Sequence, residues 1–429
     1  MSGSVIDLGE LRHGPELEPA PSPRPPRAKG RPLRCVLALL LALATLAAAG
    51  PPPPGRTVVT VPAEAGADVQ IDGDLVLVIN PVTVQAPPWR LAAFRLSDGE
   101  PVWDTPLPGK ARFWGIQPKD GLLLLTGYEI GADARDTLTV ALDRATGAYR
   151  WQQPGGSFEL ADGNVLLQSV GEDQPLSLRV VDPCCGTVRW QLSTPTAGVT
   201  AQPVGEKADR VVLSDVRGPV EVRDALTGAV RARADLRPPD GGPLGYVQVE
   251  NDLLLTAGGQ PGALTAYGLD RLDRRWSTTI GEIDFVQGCG AVLCLGTRSS
   301  GLWGVDPATG EVRWRSDRWA WAWPSGGQLV ASTRSSDPLG DVFVVDVRTG
   351  QEVANLGRWE LYQLDSSGRL LGVRPHPDGG VLVGELDVSA GTSRVADLLP
   401  DATGRCQAIA GHLLCAGTGG PYQIWQLRD

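Results

Sequence analysis

The sequence predicts an all-β fold, a propeller of four-stranded blades preceded by one apolar helix. Three observations carry this expectation. A short motif ending in tryptophan recurs with a period near forty residues, a second apolar hairpin precedes each copy, and Gly- and Pro-rich turns separate them.

The motif is clearest in ALDRATGAYRW (residues 141–151), VVDPCCGTVRW (180–190) and GVDPATGEVRW (304–314). Weaker copies begin at Phe94, Val222, Gly268, Val344 and Glu385, making eight. The tryptophans or their equivalents fall at 103, 151, 190, 232, 276, 314, 354 and 395. Within each copy an alternating strand reaches an Asp, the D-x-x-T-G segment turns, and a second strand begins whose Trp points back to the sheet. The repeat turn residues are Asp143 and Gly147, Asp182 and Gly186, Asp306 and Gly310, and Asp346 and Gly350. Gly supplies the positive φ of such a turn, and Asp and Thr side chains bond nearby backbone groups. Trp103, Trp151, Trp190, Trp276 and Trp314 are read as packing between neighbouring blades, each burying on the order of 200 Å².

The last stretch, CQAIAGHLLCAGTGGPYQIWQLRD, reads as three strands of a blade, and RTVVTVPA (56–63) supplies the fourth, closing the ring and removing its open edges. Eight motifs plus this composite blade give nine. Propellers commonly stop at about eight blades, so the expected number is eight, with one worn copy irregular.

Residues 1–34 contain seven prolines and few large apolar side chains, which predicts a disordered tail. Residues 35–50 form an uncharged apolar segment, with Arg24, Arg27, Lys29, Arg31 and Arg34 before it and the Pro-rich linker 51–56 after it. Positive charge on the leading side alone places the N-terminus in the cytoplasm and the propeller, 57–429, outside. The run is read as a single-pass anchor. A signal peptide cleaved after Ala47-Ala48-Ala49 would instead secrete the same domain to the same side.

The net charge is −10, which disfavours duplex nucleic acid and anionic surfaces as partners of the propeller. Beyond Cys35 the cysteines are Cys184, Cys185, Cys289, Cys294, Cys406 and Cys415, an even number that suits an oxidising compartment. Cys289 with Cys294 and Cys406 with Cys415 each flank a hairpin turn and are candidate disulfides, as are the adjacent Cys184 and Cys185. No G-x-S-x-G elbow is present, and beyond the apolar run only His376 and His412 remain for acid–base work. In WRSDRWAWAWP, Trp319, Trp321 and Trp323 alternate, which places all three on one strand face. They are the candidate binding patch, although packing at a blade interface is the plainer reading.

The repeat resembles the pyrroloquinoline-quinone-like propellers, whose blades carry [AV]-x-D-x-x-T-G-x-x-x-W, and the likeness covers nearly all of residues 57–429. That family includes quinone-dependent alcohol and sugar dehydrogenases and non-enzymatic scaffolds of the BamB type. The dehydrogenases hold a vicinal disulfide against the cofactor, which draws attention to Cys184 and Cys185. Here the pair lies inside the peripheral turn Asp182-Pro183-Cys184-Cys185-Gly186, and the family's calcium ligands and Asp base find no counterpart. The resemblance therefore implies a membrane-anchored bacterial member of the BamB-type branch, its Arg-, Ala- and Gly-rich composition matching a high-GC, actinobacterial genome. The expectation is an interaction scaffold or sensor with no catalytic residue, cofactor or metal, whose partners are envelope proteins; the second reading is a sugar- or peptidoglycan-binding module using Trp319, Trp321 and Trp323 on cell-wall glycan, and the third a quinone-dependent dehydrogenase.

Overall fold

The computed structural model describes residues 58–426, apart from 65, 82–88, 109–110, 130–136, 170–174, 196–197, 239–240, 259–261, 298–300, 334–338, 364–369, 410–411 and 419. The expected tail, apolar segment and linker lie outside the described residues. Among those described the regular elements are all strands, and no helix is long and apolar enough to cross a membrane.

The strands form antiparallel meanders in chain order. The first sheet joins Asp68–Asp72, Leu75–Asn80, Arg90–Arg95 and Pro101–Pro106. Five more four-stranded sheets follow between Ala111 and Ser316, carrying Trp151, Trp190, Ala232, Trp276 and Trp314 on their fourth strands. Next comes a seven-stranded sheet, in which the twelve-residue strand Glu352–Gln363 pairs through its first half with Gly340–Val345 and through its second with Leu370–Pro375. A last sheet is composite. Val58–Val61 adds to the edge of Tyr422–Gln426, with Val58 opposite Trp425, after Ala402–Ile409 and His412–Gly417.

Burial explains which strand faces where. Second and third strands read as near-continuous buried runs, such as Leu75–Asn80 and Thr137–Asp143, because both their faces meet neighbouring sheets. Fourth strands such as Val188–Ser193 and Val230–Asp235 are largely exposed and form the rim. First strands converge. Tyr246 Oη accepts the Val286 N–H at 3.0 Å, and the Gly288 N–H donates to Glu250 Oε2 at 2.9 Å, each between the first strands of consecutive sheets.

The core is therefore distributed between sheets. Leu77, Leu91, Leu123, Leu125 and Val140 fill the gap between the first and second sheets, and Leu166, Leu178, Val211 and Leu213 fill that between the third and fourth. Val330, Val344, Trp359, Leu370 and Leu386 lie between the two halves of the seven-stranded sheet. Val59, Val76 and Ile424 join the composite sheet to the first. Each gap is a layer of aliphatic side chains removed from water, the dominant favourable term in folding.

Candidate functional site

The repeat motif builds one joint again and again. Trp103 Nε1 donates to the Arg144 carbonyl of the next sheet at 3.0 Å, Trp151 to Pro183 at 2.8 Å, Trp190 to Ala225 at 3.1 Å, Trp276 to Pro307 at 2.8 Å and Trp314 to Val347 at 2.9 Å. The acceptor is always the residue after the turn Asp. The turn Gly lies over the indole: a Cβ on Gly147 would stand 2.5 Å from Trp103 Cε3, and one on Gly310 2.5 Å from Trp276 Cε3. Their φ values of 69° and 73° belong to the left-handed region as well. The motif's tryptophan and glycine are thus two sides of a seam, each required by the next copy.

Inside the turn, Asp143 Oδ1 accepts the backbone N–H groups of Ala145 and Thr146 and the Thr146 hydroxyl, while Oδ2 accepts from Arg150 at 2.6 Å. The same Arg, seven residues after the Asp and just before the Trp position, recurs as Arg189 on Asp182, Arg231 on Asp224 and Arg313 on Asp306. Its ion pair with the Asp is a feature the sequence reading missed, though the letter stands in every one of these copies. The Arg150 guanidinium and Thr146 hydroxyl hold the Asp143 carboxyl down to about 2, and Arg231 does the same for Asp224. At Asp346 the seventh residue is Val353, and the Thr349 hydroxyl and N–H lower that carboxyl instead.

The tryptophan cluster does not share one face. A β-bulge at Ala320 places Trp319 opposite Thr333 and Trp321 opposite Ser332, so one extra residue shifts the phase of the alternation. Trp319, 2% exposed, joins Ala322 against the preceding sheet, and within its own sheet it tilts on Phe343 and donates to the Gly350 carbonyl at 3.1 Å. Arg318 covers both rings and pairs with Glu352. The Asp346–Gly350 turn consequently receives two indoles, Trp314 and Trp319. Trp321 and Trp323 take the opposite face, stacked with centroids 4.1 Å apart, Trp323 against the next cluster and Trp321 43% exposed. The candidate patch is reduced to this pair, on a first strand of its sheet.

The six cysteines among the described residues are bonded in three pairs. Cys406–Cys415 joins the strands Ala402–Ile409 and His412–Gly417, Cys289–Cys294 ties the turn after Ile283–Gly288 to the strand Leu293–Thr297, and both are buried. Cys184–Cys185 sits in the exposed turn between Ser177–Val181 and Val188–Ser193. The Asp182 carboxylate comes within 4.8 Å of both sulfurs. It is engaged, however, by the Cys184 N–H and Arg189, and the sulfurs by each other, which leaves a poor set of metal donors.

Successive antiparallel sheets, four-stranded but for one of seven strands and joined at five seams by tryptophan on the next sheet's motif turn, define a PQQ-like repeat propeller. The sequence pattern of the family described as "Outer membrane protein assembly factor BamB" matches residues 89–316, and the chain belongs to that family. Among curated proteins no sequence matches this chain. Similar solved structures include BamB from Moraxella catarrhalis, 12% identical with a TM-score of 0.46, covering 87% of this chain and 98% of that one. The computationally designed Ika8 protein is 12% identical with a TM-score of 0.46, covering 87% and 100%. The C-terminal WD40 domain of Sif2 is 10% identical with a TM-score of 0.45, covering 86% and 97%.

Proposed function

We propose that this protein is a non-catalytic interaction scaffold or sensor, anchored in a membrane by residues 35–50 with its propeller on the extracytoplasmic side. The observation that carries the interaction reading is the Trp321–Trp323 stack. Its rings are already ordered against each other before any partner arrives, and a large aromatic exposed on a rigid strand is the kind of group that anchors protein interfaces. Membership in a family described as an assembly factor supports protein partners in general. The anchor rests on the basic flank and apolar run of the sequence.

The test replaces Trp321 in the full-length chain with a photo-crosslinking phenylalanine analogue in its native membranes. One protein species crosslinked at position 321, and lost when Trp323→Ala removes the stack, supports the scaffold. Adducts to glycan alone would transfer the same pair to a sugar- or peptidoglycan-binding role.

We also read the ring as nine four-strand units rather than eight. What supports nine is that Glu352–Gln363 serves two units, with its own apolar cluster between them. An experimental density map counts the units directly.

A further inference from the structure

Away from the Trp321–Trp323 pair, a cleft of about 440 Å³ opens between the second and third sheets. Its walls carry Trp114, 46% exposed, and Phe158, 40% exposed, each on the first strand of its sheet. Exposed rings of this size on an inner strand are not accounted for by the repeated joint, whose motif tryptophans lie on fourth strands. Trp114 is the extra residue of a bulge, since Phe113 opposes Gly127 while Gly115 opposes Thr126. That kink turns the indole outward, and Tyr128 steadies it at 5.3 Å.

Between the two rings the lining is hydroxyl and amide. Ser157 Oγ lies 3.2 Å from Thr126 Oγ1 and donates to Gln117 Oε1 at 3.4 Å, and the Thr137 hydroxyl donates to the Gln168 carbonyl at 3.3 Å. Gln168 Nε2 donates to Ala201 O at 3.2 Å, while its Oε1 is enclosed with no hydrogen-bond donor among the described residues. Among the described residues that line it none is charged. This described lining suits a neutral ligand with many hydroxyls and an apolar C–H face. The volume falls within the range of small-ligand sites.

We propose that this cleft binds a neutral carbohydrate, one or two pyranose rings lying between Trp114 and Phe158 with their hydroxyls on Ser157 and Gln117. The site is independent of the scaffold reading, which rests on another strand. The test titrates the detergent-solubilised full-length protein with neutral gluco-, galacto- and manno-disaccharides by calorimetry and tryptophan fluorescence. Saturable binding of at least one is expected, weakened about tenfold or more by Trp114→Ala and separately by Phe158→Ala, the loss of one stacking face. Both side chains are exposed, so both variants should keep the parent melting temperature. No saturable binding by any of these sugars, or binding indifferent to Trp114 and Phe158, would overturn the assignment. So would preferential binding of uncharged peptides at the same residues.

Discussion

Ala232 and Leu272 occupy, at one seam, the places that tryptophan and glycine hold at five others. Ala232 stands opposite Val222 as Trp151 stands opposite Ala141. Leu272 donates its N–H to the Gly268 carbonyl at 2.8 Å, as Gly147 does to Asp143, and takes φ 55°. Leu272 is buried in the cluster against which Ala232 packs. The volume lost on one sheet has returned on the other.

This exchange predicts coupling. Ala232→Trp alone should destabilise by about 2–3 kcal/mol through overpacking. Leu272→Gly alone should cost about 1–3 kcal/mol, cavity formation outweighing the relief of positive φ. The double variant should recover at least 1 kcal/mol relative to the sum, as read by a double-mutant cycle in urea. Simple additivity would show that the two positions are not partners.

At an ordinary seam, Trp314→Ala should cost roughly 3–5 kcal/mol as a large core truncation. Trp314→Phe should cost less, about 1–2 kcal/mol, part of it from leaving the Val347 carbonyl without its donor. Urea midpoints falling in the order parent, Phe, Ala test both the packing and the hydrogen bond.

Glycine's two roles separate by comparison. Gly310→Ala meets the Trp276 ring and a φ of 73°, whereas Gly205→Ala meets a φ of 84° with nothing within 4 Å of the new methyl. The first should lose about 2–4 kcal/mol and the second only about 1 kcal/mol. Equal losses would mean that the indole yields and only the backbone matters.

The turn carboxylates set an acid limb. With folded values of about 2, Asp143 and Asp224 contribute stability that is fully present above the ordinary Asp value near 4 and is lost as pH falls through 2. Melting temperature should fall between pH 4 and pH 2, and fall less steeply in Asp143→Asn/Asp224→Asn. Matching slopes would show that the Arg150 and Arg231 pairs do not persist in solution.

The propeller was legible because its joint is written in large, rare letters at a fixed period. Trp and Gly of consecutive copies touch, so the repeat records the tertiary contact itself. The closing strand near Val58 was legible for a related reason: the last sheet lacked a strand and the first residues of the domain supplied one. The face of Trp319 was not legible, because a bulge is a backbone event and Ala320 carries no side-chain mark of it. The bulge at Trp114 is hidden in the same way, and neither Trp114 nor Phe158 belongs to any repeat. The Asp–Arg pairs were visible as letters, but their meeting requires the hairpin to bring residues seven apart across one turn.

The composite sheet also imposes an order of events. Val58–Val61 leaves the ribosome long before Tyr422–Gln426 exists, and a four-residue strand has little to hold it meanwhile. The circle is therefore sealed only after synthesis has passed residue 426, and such distant pairing is intrinsically slow. A chain stopped short would keep two unpaired strand edges, open to pairing with another copy. Ring closure in this way waits on the pairing of Val58 with Trp425.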